Sequence, residues 1–287
     1  TKADVLIIET GDTAYKTLEN IFPLSVFDKY FLRLHFNIEN IKDIKAGEYL
    51  IKNKTIEEII KDISNGNYLR RSIRIKEGSN LYDLEKDLTN HYLLNDCSYL
   101  SCIKTKTNKE GLLLPDTYYY FRGMKLSSIF SESNEKLNKL INTLWLEKPQ
   151  DNPLKSKYDA LILASIIEKE AGNNEEKLLI SGVFLKRLEM DMRLQADPTI
   201  IYGLLPNFDG DIKKSDILDK ENIYNTYMKK GLPPSPIAFS SISSIEAAIL
   251  GTPGDFLFFV ADSPSSHYFS KTYEEHKEAI KKYGVDK

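Results

Sequence analysis

The chain has 287 residues, 41% hydrophobic and 28% charged, enough apolar material for a sizeable core and for two domains, or one domain with an appendage. Its 39 basic and 42 acidic residues are mixed along the chain and leave a formal charge of −3, with no basic block dense enough to neutralise a run of phosphates. Disordered, fibrous and nucleic-acid-binding classes are set aside on these grounds, and no apolar stretch reaches the roughly 18 residues needed to cross a bilayer.

Residues 1–96 hold three loosely similar units, "VLIIETGDTAYKTLEN", "GEYLIKNKTIEEIIKDISNG" and "RSIRIKEGSNLYDLEKDL". Each reads as a short β-rich run, a polar turn, and a helix with apolar residues at i and i+3 or i+4. In the second, Thr55 and Glu58 predict a capping box, Ile56, Ile59, Ile60 and Ile63 a buried stripe, and Asn65-Gly66 the stop. In the third, Gly78-Ser79 supplies the turn, and Leu81, Leu84 and Leu88 the stripe. Such units bind or space things more often than they catalyse, and no convergent acid, base or nucleophile stands out among them.

Cys97 and Cys102 lack the CxxC spacing of a zinc site; a bridge formed in an oxidising compartment and two ordinary thiols both fit. The four histidines form no ligand cluster, so neither a metal nor a cofactor is expected. From 97 to 157 a loop containing "GLLLPDTYYYF" leads to a helix around 126–146 and then to the Pro-broken connector "EKPQDNPLKSK". Beyond it the pattern predicts helices over 158–171 and 175–190, the segment "RLQADPTIIYGL", a long loop, a helix over 244–250, strands over 256–261 and 267–270, and a last helix over 272–283. Ser243 with Glu246, and Thr272 with Glu275, read as capping boxes. The expected fold class is α+β, with a small α/β N-terminal module over 1–105 and a mainly helical C-terminal domain over 106–287 carrying a few short strands.

Three stretches carry chemistry. In "LILASIIEKEAG" the two glutamates, Glu168 and Glu170, project about 200° apart on a helix and cannot share a site. Glu168 has only small neighbours one turn away, Ala164, Ser165, Ala171 and Gly172, which predicts a shallow patch open to a ligand. It also borders an apolar stripe whose desolvation would raise its pKa and suit a general acid. A solvated helix residue is the other reading of Glu168, and Glu170 reads as surface. In "LQADPTIIYG" Asp197 before Pro198 reads as an N-cap, flanked by Gln195 and Tyr202, whose amide and phenol suit sugar hydroxyls and pyranose faces. The loop "IYNTYMKKGLPPSPIAFSS" presents Tyr224, Asn225, Thr226 and Tyr227 beside an extended Pro run, and serves either as a binding loop or as a rigid connector. His267 is a loop residue or a donor lining a site. No GxSxG, HExxH, P-loop or GxGxxG pattern is present.

Taken in order and spacing, "LLPDTYYY", "LASIIEKEA", "LQADPTIIYG", "YNTYMKKGLPPSPI" and "FVAD…HYFSKTYEEHKEAI" resemble the endolytic murein transglycosylase (YceG-like) family over roughly residues 40–287. The resemblance implies that Glu168, the first glutamate of the EKE motif, is the catalytic acid/base. It also implies that the N-terminal units form a LysM-like portion and that a transmembrane anchor precedes them. The chain would then be the extracytoplasmic part of a single-pass inner-membrane protein.

The implied reaction cuts the β-1,4 bond between N-acetylmuramic acid and N-acetylglucosamine without water and leaves a 1,6-anhydro end, in cell-wall assembly and the termination of nascent glycan strands. The implied partners are glycan strands and the cell-wall synthesis machinery. Gln195, Asp197, Tyr202, Tyr224, Asn225, Thr226, Tyr227 and His267 complete the expected substrate site. The family's Pro-rich loop often continues with Gly and Asn where this chain has Ser235 and "AFSS", so no role is carried over to Ser235 or Ser240. Two rivals stand beside this reading: a glycan-binding scaffold that has lost turnover, and a hydrolytic muramidase pairing Glu168 with Asp197 or another carboxylate.

Overall fold

The computed structural model describes residues 4–13, 17–19, 25–38, 45–88, 91–103 and 108–284. The architecture is α+β, and the chain divides into two compact units. One comprises Thr1–Ile73, His91–Asp96 and Tyr118–Ile129; the other comprises Arg74–Asn90, Cys97–Thr117 and Phe130–Lys287.

In the first unit β1 (Val5–Ile8) pairs antiparallel with β2 (Gly47–Leu50), in a register that sets Val5 opposite Leu50 and Ile8 opposite Gly47. The period-2 rule buries Leu6 and Ile8 and leaves Ile7 exposed. Helices α1 (Val26–Ile38) and α2 (Ile56–Asn65) contribute Leu32, Ile59, Ile60 and Ile63 to the same core, with Ile56 packed at its margin. The Thr55–Glu58 capping box forms as expected, and Gly66 ends α2 with φ 75°, a left-handed cap that glycine adopts without strain. Part of the helix read in the first repeat, residues 14–16 and 20, lies outside the described residues. Glu48, almost fully buried, is held by a two-point pair from Arg71, Nε to Oε2 and Nη2 to Oε1, both 2.7 Å. Strands β3 (Arg71–Ile75) and β4 (Asp116–Tyr120) pair with each other.

The second unit is mainly helical. The short α3 (Leu81–Asp87) buries Leu84, and α4 (Tyr99–Cys102) ends at a cysteine bridged to Cys97, with 5.4 Å between their Cα atoms; of the two states left open by spacing, the bridge is the one present. Helix α5 (Leu126–Trp145) docks the "GLLLP" segment, Ser133 donating to the Leu114 carbonyl and Asn134 to that of Leu112.

At the centre lie α6 (Lys157–Glu170) and α7 (Lys177–Glu189). Every residue of α6 from Ala160 to Ile167 is buried, so this helix is covered on all sides. Its start is set by a Ser156–Asp159 capping box. Around it pack α7, α8 (Asp197–Leu204) and α10 (Ile242–Leu250), with the short α9 (Lys214–Ile217) in the long loop. The chain closes with the antiparallel pair β5 (Phe258–Ser263) and β6 (Ser266–Ser270), then α11 (Tyr273–Tyr283), whose Thr272–Glu275 capping box forms as read.

Two caps differ from the sequence reading. The cap of α10 is Ser241, whose hydroxyl accepts from the Ser244 amide, so the helix starts two residues earlier than expected and Ser243 does not cap it. Likewise Ala196 holds the cap position of α8, and Asp197 is its first helical residue, its carboxylate engaged elsewhere. Among the described residues no helix is long and apolar enough to cross a membrane.

The Pro-broken connector has a structural task. Asn152, only 3% exposed, donates from one amide nitrogen towards the carbonyls of Ala248, Ile249 and Gly251 at 3.0, 3.1 and 2.8 Å, tying off the last turn of α10. Asn152→Ala should therefore lower unfolding stability by about 1–3 kcal/mol, because it strands buried carbonyls. Urea denaturation measures this, and a loss within the error of the wild-type midpoint would show that water replaces the amide.

Candidate active site

Glu168 sits in the last turn of α6, its side chain 9% exposed. Four donors converge on one carboxylate oxygen, Oε2: the Ser241 amide (3.1 Å) and hydroxyl (2.5 Å), the Ser244 hydroxyl (2.5 Å) and Lys177 Nζ (3.2 Å). Among the described residues no hydrogen bond falls on Oε1. Lys177 is buried with it, and its ammonium also donates to the hydroxyls of Ser241 (2.8 Å) and Ser243 (3.0 Å). Ser243 in turn donates to Asn174 Oδ1.

Burial works against ionisation of Glu168, but the Ser241 and Ser244 hydroxyls and the Lys177 charge outweigh it and hold the carboxyl below the ordinary glutamate range. The apolar stripe of α6 led to the opposite expectation. The difference is that the acid faces a serine-lined helix start and a cation, and its charged form is the one solvated by the protein.

The small residues around Glu168 also act differently from the expected ligand patch. Ala164 and Ser165 are fully buried, and the Ser165 hydroxyl accepts the Ile237 amide at 2.9 Å. A Cβ on Gly172 would lie 2.7 Å from the Ser265 backbone. Smallness here lets the 237 segment and the β5–β6 turn approach the helix. Glu170 is half-buried, and its charge is felt at Tyr227 and Arg187, away from the donors that hold Glu168.

The other expected site residues fall into five groups. Tyr202 and Tyr224 meet edge to face, ring centroids 4.8 Å apart; Tyr202 donates its hydroxyl to Glu110, and Tyr224 shares a hydrogen bond of 2.7 Å with Ser235. Asp197 accepts the Tyr227 hydroxyl at 2.6 Å, and burial and that carboxylate push the Tyr227 phenol up. Gln195, exposed and at φ 50°, is fixed through its backbone N–H to the Thr226 carbonyl, and the preceding Leu194 carbonyl is held by Arg187.

Asn225 and Thr226 differ from the expectation of sugar contact. Asn225 has no exposed surface and its amide donates to the carbonyls of Asp216, Ile217 and Asp219, while the Thr226 hydroxyl accepts from the Ala196 amide and pairs with Thr199. Their polar atoms fold the loop. His267 is gripped at two points by Glu176, whose Oε1 accepts its amide (2.7 Å) and whose Oε2 meets Nδ1 (2.8 Å), and the ring stands edge-on to Phe259. Asn173 donates to the Ser265 carbonyl, fastening the β5–β6 turn to the segment that follows α6.

Lys177, Ser241, Ser244 and Glu176 were missed by sequence reasoning. One signal existed for Lys177: a lysine at the first position of a helix sits at the wrong end of its dipole, a cost that a specific anionic partner offsets. Nothing comparable marks the serines, since a Ser-rich stretch before a helix reads as capping alone. Among the described residues no group of His, Cys, Asp and Glu is arranged to hold a metal ion.

Comparison with known proteins bears on the family of the chain. The sequence model of the YceG-like family matches residues 6–282. A Bacillus subtilis (strain 168) protein named endolytic murein transglycosylase is 35% identical over 175 residues, 61% of this chain and 48% of the relative. A Streptococcus pneumoniae (serotype 2, strain D39) protein of the same name is 33% identical over 58% of this chain and 31% of its own length. This chain thus spans about half of the first relative and about a third of the second. A crystal structure of a YceG-like protein from Listeria monocytogenes superposes with a TM-score of 0.61 at 29% identity, covering 96% of this chain and 98% of that one. With the family match running nearly from end to end, the chain belongs to the YceG-like family.

Proposed function

We propose that this protein is an endolytic murein transglycosylase that cleaves the β-1,4 bond between N-acetylmuramic acid and N-acetylglucosamine within glycan strands and leaves a 1,6-anhydro end, with Glu168 as the single acid/base. The observation that carries the reading is the one-sided grip on Glu168: four donors fix Oε2, which leaves Oε1 for the substrate. Protonated, the carboxyl donates to the glycosidic oxygen as the bond to C1 breaks. Ionised, it takes the proton from the C6 hydroxyl as that oxygen attacks C1, so no water enters and the acid is regenerated. Hydrolytic glycosidases need a second carboxylate as nucleophile or base. In this chain Asp197 serves the Tyr227 hydroxyl and Glu176 serves His267, which favours the one-carboxylate scheme over the muramidase.

Glu168 rests ionised, so the acid step depends on proton uptake. A glycan seated over the carboxyl strips its remaining water and raises its pKa towards the working range. In this reading Tyr202, Tyr224 and Gln195 stack on or bond to the sugar rings. The same reading makes the N-terminal α/β units, taken as a LysM-like module over 1–105, a glycan-binding or spacing element for the catalytic part. It also places the protein outside the cytoplasmic membrane, tethered by a single-pass anchor among the cell-wall synthesis enzymes, where it ends nascent strands. The Cys97–Cys102 bridge fits an oxidising compartment.

Mass spectrometry of digested glycan strands tests the reaction. Anhydro ends are expected; reducing ends would identify a hydrolase, and intact strands a scaffold. Glu168→Gln should lower the rate by about 10²- to 10⁴-fold with the fold unchanged, since the amide is nearly isosteric but has no acidic proton. Retained cleavage would remove Glu168 from the mechanism. The pH profile tests the electrostatics. In the free enzyme the acid form of Glu168 is required, so kcat/KM should decline with rising pH from the acid side. Lys177→Met withdraws the cation that favours the charged form, so the decline should move to higher pH by about one unit or more. An unmoved profile would show that Lys177 does not set the ionisation of Glu168.

A further inference from the structure

Glu110 is a fully buried carboxyl, 0% exposed, that has no part in the reaction scheme above. Three donors meet it: the Leu81 amide (3.1 Å) and Tyr202 hydroxyl (2.9 Å) on Oε2, and the Gly111 amide (3.2 Å) on Oε1. Its bond to Leu81 fixes the first residue of α3 and so the turn that precedes it. That turn is joined to the loop ahead of α10 by two backbone bonds, the Gly78 amide donating to the Phe239 carbonyl (2.9 Å) and the Phe239 amide to the Ser79 carbonyl (2.7 Å). Two residues after Phe239 comes Ser241, whose amide and hydroxyl hold Glu168. The turn also touches the acid's own helix, since Lys169 donates to the Gly78 carbonyl and a Cβ on Gly78 would lie 3.9 Å from Glu168 Cγ. Behind it, a Cβ on Gly111 would meet Pro236 at 2.4 Å, so the Glu110–Gly111 backbone lies directly against the same loop.

We propose that Glu110 is a positioning residue for Glu168: it anchors the 76–81 turn, and through the Phe239 bracket that turn sets where the Ser241 and Ser244 donors meet the catalytic carboxyl. Burying an acid this completely is costly. Desolvation pushes Glu110 up to about 7, against the three donors that favour its charged form, with Asp83 adding a smaller push in the same direction. An apolar residue or an amide would fill the space at lower cost, but an apolar side chain could not accept from Leu81 and Tyr202 together. Glu110 is thereby distinguished from a residue that merely packs.

The proposal rests on the reading of Glu168 as the acid/base, but its test does not use the reaction. Carbon-13 NMR titration of the glutamate carboxyls in the ligand-free protein, with the Glu168 signal identified by its loss in Glu168→Gln, follows that acid directly. Glu110→Ala should release the bracket, weaken the serine donors and raise the Glu168 midpoint by about one pH unit. Glu110→Gln, which keeps a carbonyl oxygen for Leu81 and Tyr202, should restore it to near the wild-type value. If Glu110→Ala does not fold, Glu110→Asp, which withdraws the oxygen by one methylene, is read in its place and should give the same rise. A Glu168 midpoint that is unchanged in a folded Ala or Asp variant overturns the proposal, as does a Gln variant as shifted as the Ala variant. Anhydro products with an unmoved midpoint would keep the transglycosylase reading and sink the positioning role, whereas a moved midpoint without anhydro products would do the reverse.

Discussion

The second unit depends on holding a carboxylate and an ammonium together inside the protein. Glu168 and Lys177 are each more than nine-tenths buried, and an isolated ion in such a place loses more solvation than packing returns. Their pairing, supplemented by the hydroxyls and one amide at the start of α10, satisfies both. Three helices are positioned by that requirement: α6 delivers the acid from its last turn, α7 opens on the lysine, and α10 is capped by the serine that touches both. The enclosure of α6 follows from the same geometry, since its small residues admit the chain segments that carry the donors.

Because every donor falls on Oε2, the grip is directional, and this matters more for chemistry than its strength. A carboxylate held symmetrically would have no oxygen left to exchange a proton with a substrate. Here one oxygen is committed to the fold and the other is available, which is what a group acting first as acid and then as base requires. The tyrosine pair, the Asp197–Tyr227 bond and the Glu176–His267 grip lie on neighbouring elements with their side chains already oriented. For the glycan site proposed above, this arrangement calls for little reorganisation on binding.

How much of this was legible in the sequence differs by element. Capping boxes at Thr55 and Thr272 and the isoleucine stripe of α2 could be read because they depend on residues three or four apart. The separation of Glu168 from Glu170 could also be read, since helix geometry alone sends them to different faces. The environment of Glu168 could not. Its donors come from positions nine and more than seventy residues away, and the apolar stripe beside it pointed to a raised pKa where distant polar groups lower it. Asn225 was misread for a related reason: a polar residue in a polar loop looks like a ligand contact until the carbonyls it serves are in view. Glu110 gave no sign at all, as an acid in "NKEGLLLP" resembles any solvated loop residue, and only tertiary structure buries it.

The central claim is that one carboxyl, fixed through Oε2, performs both proton transfers through Oε1. The most direct measurement is a crystal structure of Glu168→Gln with a bound glycan oligomer. The account predicts a glycosidic oxygen within hydrogen-bonding distance of the amide group at the Oε1 position, with Ser241, Ser244 and Lys177 still clustered on the other side and no second carboxylate facing the anomeric carbon. A glycan seated away from residue 168, or a second carboxylate or an ordered water poised at the anomeric carbon, would contradict it.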